Sequence, residues 1–185
     1  MSPVQHPSGV VAIGRARATD VGVVFAAAVD AGPHLPLVVV LAGLQDPGNV
    51  GAIVRACAAF GAAGVVAIEG TANPFSWKAV RGAMGGTFRL PVAARGTASD
   101  VISAAQQEHV RIVAAVPRGG TPLHKLDFQK PTAIVLGGEG AGVSSAIMAG
   151  AHESVTIPMR APVESLNVAV AAALLLYEAS RQSAP

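Results

Sequence analysis

At 185 residues the chain is long enough for one ordinary domain with a real core, and too short for two. It is 51% hydrophobic and only 13% charged, which excludes a disordered or fibrous chain. A net charge of +2 is compatible with a nucleic-acid partner but too mild to require one.

Cys57 is the single cysteine, so neither a disulfide framework nor a cysteine-based zinc site can form. His6, His34, His109, His124 and His152 are scattered without ligand spacing, and no metal is expected. The N-terminus lacks the charged start and apolar run of a secretory signal. The longest apolar run, Val168 to Tyr177, is too short to span a bilayer. These features lead us to expect a soluble, cytoplasmic protein without membrane contact.

In chain order, residues 1–36 form an extension in which "GVVAIGRA" could be a strand and "GPHLP" (32–36) reads as a linker. From residue 37 strands and helices alternate. "LVVVLAG" (37–43) is a β-branched run, predicted as a strand buried on both faces. A helix follows over 50–60, stopped by Gly61. Strands are predicted at 65–70, 88–94, 110–116, 132–137 and 154–159. Helices are predicted at 73–86, 99–109 with Ser99 as cap, after the 137–142 glycine loop, and at 166–182. Residues 117–131 read as loop. The pattern defines an α/β domain over 37–185 with a mainly parallel sheet flanked by helices.

In parallel α/β sheets ligands bind at the carboxyl ends of the strands. Three loops there carry polar residues: 46–49, 137–142 and 159–167. In the first, Asn49 could simply cap the next helix. That account leaves Arg55 unexplained, because its helical neighbours Gly51, Ala52, Ala58 and Ala59 offer no carboxylate. A face of small residues also lets another backbone approach, as at a subunit interface. The second loop, "LGGEGAG", lacks the spacing of a phosphate cradle, and Glu139 at its centre would repel phosphate. A carboxylate among glycines suits a cationic or hydroxyl-bearing ligand held close to the backbone; a tight turn with a surface Glu is the plainer reading. In the third, Arg160, Glu164, Ser165 and Asn167 crowd the start of a buried helix, where Ser165 or Asn167 must act as cap. Lys78, Arg81 and Arg89 make a modest basic face, and Trp77 among them reads as core more than as a base-stacking platform.

Taken in order, "QDPGNVGAIVRACAAFGAAGVV", "KAVRGAMGGTFRLPV", "IVLGGEGAGVSS" and "VTIPMRAPVESLNVAVAAALLLYE" resemble the SpoU/TrmH family of RNA ribose methyltransferases, of the SPOUT class, across residues 37–182. The resemblance implies methyl transfer from S-adenosylmethionine to a ribose 2′-hydroxyl of structured RNA, without a metal. It also implies a C-terminal trefoil knot and a homodimer with the active site near the interface. On this basis Leu136, Gly137, Glu139, Gly140, Ile157, Met159 and Leu166 match the cofactor contacts. Asn49, Arg55, Glu139, Ser165 and Asn167 match the catalytic set, while Lys78, Arg81, Arg89 and Arg160 are the candidates for holding RNA. Gly138, Ala83 and Ala161 depart from residues frequent in the family. "HPSGVVAIGRA" resembles the tail of an N-terminal RNA-binding domain, which favours ribosomal RNA as substrate, with transfer RNA the alternative.

A ribose hydroxyl is a weak nucleophile, so the site must align it and help remove its proton. Arg55 could act as the base, or as a clamp on the target phosphate. Two rival classes fit the sequence less well. A Rossmann oxidoreductase requires G-x-G-x-x-G after the first strand, where "GLQDPGN" stands instead. A catalytically silent RNA-binding member would have site residues free to drift, yet all five matching positions are filled.

Overall fold

Among the described residues, seven strands, every neighbouring pair parallel, form one sheet in the order β3-β2-β1-β6-β4-β7-β5. The computed structural model describes Gly14 and residues 19–183. In chain order the elements are α1 (Val21–Val29), β1 (Leu35–Ala42), α2 (Pro47–Phe60), β2 (Ala62–Ile68), α3 (Trp77–Gly82), β3 (Val92–Gly96) and α4 (Ala98–Gln107). They are followed by β4 (Arg111–Ala115), β5 (Thr121–Pro122), β6 (Thr132–Gly137), α5 (Ser145–Gly150), β7 (Glu153–Thr156) and α6 (Val168–Ser183). Short 3-10 turns occupy Gly86–Phe88 and Leu123–Lys125.

The central strand β1 explains the layering. Leu37, Val39 and Leu41 pack with Ile53, Val54, Cys57, Leu175 and Leu176 on one face. Val38 and Val40 alternate onto the other face, with Val66, Val101, Ile112 and Ile147. A strand buried on both sides needs apolar residues at every position, hence the unbroken "LVVVLA".

Several expectations are corrected. Helix α1 lies inside the segment read as extension and linker, yet Val24, Phe25 and Ala28 are buried in the second core layer. A Cβ on Gly64 of β2 would come within 2.7 Å of the Val24 side chain. The packed unit therefore begins before residue 37, and β1 already includes Leu35 and Pro36. The strand considered for "GVVAIGRA" lies outside the described residues, Gly14 apart, and Gly14 itself is not in a strand. The helix expected over 73–86 shrinks to Trp77–Gly82, and the following strand starts only at Val92, after Pro91, which has no N–H for a ladder. The α4 cap is Thr97, not Ser99, because Thr97 and Asp100 exchange hydrogen bonds as a capping box. The loop expected over 117–131 contains the two-residue β5.

Candidate active site

Helix α2 starts at Pro47 because Asp46 caps it, accepting hydrogen bonds from the amides of Gly48 and Asn49. The Lys78 ammonium, 2.6 Å away, and then the Gly48 amide hold the Asp46 carboxyl below its ordinary range. Asn49 is therefore not the cap, and its side chain is free for other work. Its Nδ2 donates to Glu139 Oε1 at 3.0 Å, and its Oδ1 accepts from Asn167 Nδ2 at 3.2 Å. Asn167 meanwhile caps α6, its Oδ1 accepting from the amides of Ala169 and Val170. One chain of amides and a carboxylate thus ties together the loops after β1 and β6 and the start of α6.

The glycine loop is shaped by close backbone contact. A Cβ on Gly137 would lie 2.1 Å from the carbonyl carbon of Gly142, and one on Gly138 would lie 2.4 Å from the carbonyl oxygen of Gly43. Gly138 therefore has no room for a side chain unless Gly43 shifts.

Glu139 also lines a cavity of about 430 Å³ at the carboxyl ends of β4, β6 and β7. Leu136, Gly137, Gly140, Ile157, Met159, Ser165 and Leu166 share its wall. Strand β7 ends at Thr156, two residues before Pro158, and the chain then turns along this wall. Missing from the sequence reading are Ala115, Val116 and Pro117 at the end of β4, together with Val155, Ala171 and Leu175. The rule that ligands sit at strand ends applied equally to β4 and could have found the first three.

Arg55 and Ser165 stand apart from the amide network. Arg55 is exposed on α2 and makes no ion pair among the described residues. Two of the small residues around it, Gly51 and Ala58, are explained within the chain, while Ala52 and Ala59 stay exposed. A Cβ on Gly51 would strike the Ala79 carbonyl at 2.3 Å, and Gly86 packs on Ala58 and the Arg55 backbone. Lys78, Arg81, Arg89 and Arg160 are exposed, and of these Lys78 is engaged with Asp46. Trp77, expected in the core, is 46% exposed. Among the described residues no cluster of His, Cys, Asp and Glu could hold a metal. No described helix is long and apolar enough to cross a membrane.

A parallel sheet with a glycine-cradled cavity at its strand ends, roofed by the start of a C-terminal helix, defines an α/β protein built to hold a small organic ligand. Residues 36–177 match the model of the SpoU rRNA Methylase family, and the chain belongs to that family. An uncharacterized tRNA/rRNA methyltransferase of Synechocystis is 37% identical over 150 residues, 81% of this chain and 55% of the relative. The 23S rRNA (guanosine(2553)-2′-O)-methyltransferase RlmP of Bacillus subtilis is 36% identical over 140 residues, 76% of this chain and 56% of that protein. The SpoU methyltransferase AviRb of Streptomyces viridochromogenes, crystallised with AdoMet, superposes with a TM-score of 0.75 at 32% identity, covering 78% of this chain and 57% of the other. The chain spans a little over half the length of the curated relatives it matches.

Proposed function

We propose that this chain is an S-adenosylmethionine-dependent RNA 2′-O-methyltransferase acting on structured RNA, with ribosomal RNA the favoured substrate and transfer RNA the alternative. The observation that carries the proposal is the hydrogen-bonded chain Asn167–Asn49–Glu139, whose Glu139 end lies in the wall of the cavity. The family relationship supports the reaction class, and the Bacillus relative's ribosomal RNA target supports the substrate.

The residues present fit the cofactor. Leu136, Ile157, Leu166 and Val155 would give apolar walls for an adenine, the glycine loop would offer backbone hydrogen-bonding groups, and Glu139 would offer a carboxylate to a cationic ligand. When bound, the cofactor supplies an activated methyl group. The protein's task is to position the acceptor and accompany its proton. Asn49 and Asn167 hold Glu139 and the α6 start in register, and the exposed Ser165 hydroxyl is available to the ribose or its phosphate. Arg55, exposed and unpaired, is best placed as a cationic clamp on the target phosphate. Arg81, Arg89 and Arg160 supply further positive charge for RNA.

The active unit in this reading is a homodimer. Its support is the outer surface of α2 and α6, which pack on each other and leave Ala52, Ala59, Val170, Leu174 and Tyr177 exposed. A knotted C-terminal segment and a cytoplasmic location are part of the same proposal, the latter supported by a ribosomal RNA substrate.

The test is calorimetric titration of the purified chain with S-adenosylmethionine, alongside its mass in solution. Saturable binding to a dimer supports the reading, whereas a folded protein with no affinity defeats it. A clamp predicts that Arg55→Lys keeps part of the activity with an unchanged pH–rate profile. A base predicts a displaced profile.

A further inference from the structure

Between Gly70 and Ser99 the chain has no carboxylate. Its cations there are Lys78, Arg81, Arg89 and Arg95, of which Lys78 is neutralised by Asp46. The same stretch leaves three large apolar side chains in solvent: Trp77 at 46% exposure, Met84 at 70% and Phe88 at 77%. Apolar rings left in water cost solvation free energy, and Phe88 buries less than a quarter of its surface while Trp77 leaves nearly half of its own in solvent.

These rings are not carried on a loose loop. Helix α3 is locked to α2 where Gly51 meets the Ala79 carbonyl, and the 3-10 turn that ends in Phe88 is locked where Gly86 meets Ala58 and the Arg55 backbone. The exposed rings and arginines are therefore seated on the helix that carries Arg55, within a few residues of the proposed clamp.

Exposed aromatic faces beside the guanidinium groups of Arg81 and Arg89, with the neighbouring Asp46 carboxylate already paired to Lys78, suit one polymer best. Unpaired RNA offers base faces to the rings and phosphates to the arginines. Duplex RNA offers only its backbone and shallow groove, because its bases already stack on each other. A second copy of this chain fits poorly, since a two-fold contact through this patch would gather the Arg81 and Arg89 charges of both copies in one interface.

We propose that Trp77 and Phe88 are stacking platforms for unpaired nucleotides flanking the target ribose, with Arg81 and Arg89 holding their phosphates. The substrate then presents its target in a loop, bulge or single strand and not within a continuous A-form helix. This rests on the RNA-methyltransferase reading.

Trp77 is the only tryptophan in the chain, so its emission reports on the patch directly. The experiment titrates the full chain with a short RNA strand lacking self-complementarity, and with the blunt duplex that the strand forms with its complement. Trp77 fluorescence and the anisotropy of labelled RNA are both followed. The expected result is saturable quenching by the single strand, with affinity lowered between about fivefold and a hundredfold in Phe88→Ala and in Trp77→Ala, and restored by Phe88→Tyr. The duplex binds more weakly and leaves the emission unchanged. Equal affinity for strand and duplex, or unchanged affinity in both alanine variants, overturns the proposal. So does a loss of dimer mass in Phe88→Ala with unaltered RNA affinity, which would make the patch an interface between copies. Cofactor titration of the same preparations separates the two readings. Cofactor binding without these RNA effects defeats this proposal alone, whereas a folded chain without cofactor binding defeats the methyltransferase reading.

Discussion

Asn167 donates a 3.2 Å hydrogen bond to Asn49 across 118 positions of sequence, and Asn49 passes the connection on to Glu139 at 3.0 Å. Neither asparagine is spare. Asn167 also caps α6, while Asn49 is released for this role because Asp46 caps α2. Replacing Asn49 with Ala removes both side-chain bonds and leaves the cap intact. On the proposed methyltransferase reading, the expected outcome is a folded protein whose methyl transfer falls about a hundredfold, as small misplacements at a site can cause, with cofactor affinity changed much less. Single-turnover rates alongside calorimetry check this.

Gly137 has no room for a side chain, because an added Cβ would lie 2.1 Å from the Gly142 backbone. Gly137→Ala must displace the loop that walls the cavity. The expected cost is about 3 kcal/mol of stability together with loss of cofactor binding, read by denaturant unfolding and by titration.

Glu178 accepts hydrogen bonds from Arg181 at 2.9 and 2.7 Å and from Gln182 at 2.8 Å. These bonds, Arg181's first, hold its carboxyl down at about 2, from an ordinary 4.5. A depressed carboxylate stabilises the fold above its unfolded pKa, and the contribution is lost as pH falls through the folded value. Thermal stability should therefore decline between about pH 4.5 and about pH 2, and Glu178→Gln should decline less steeply across the same window. Melting curves of both proteins over that range decide the point.

Cys57 is fully buried in α2, and burial pushes its thiol up, away from the reactive thiolate. Aromatic disulfide reagents should leave the native protein unlabelled and titrate a single thiol per chain once denaturant is added. Rapid labelling of the native protein would mean that α2 opens locally.

What could be read in the sequence was what depends on neighbours along the chain. The run from Leu37 to Ala42 is apolar at every position, which only a strand buried on both faces demands, and the parallel sheet followed from such runs alternating with helices. The four matching segments carried the family because their order survives any error in element boundaries. Legibility failed where a distant residue decides. Helix α1 is rich in valine and gains no side-chain hydrogen bond from Asp20 at its start, so only its packing on the sheet makes it a helix. Asn49 was read as the cap of α2, but Asp46 three positions earlier takes that place, and the Asn49 side chain turns instead to Glu139, 90 residues away. Trp77 was expected inside because large aromatics usually are, but α3 turns that position outward.

Strand β6 sits between β1 and β4, both made earlier in the chain. As the polypeptide leaves the ribosome, β1, β2 and β3 can pair at once, but one edge of β1 stays open until residues 132–137 have emerged. That edge is long, uncharged and rich in valine and leucine, the kind that recruits strands from other molecules. Fragments ending before Thr132 should aggregate, and the nascent protein should depend on holding chaperones until its centre is filled.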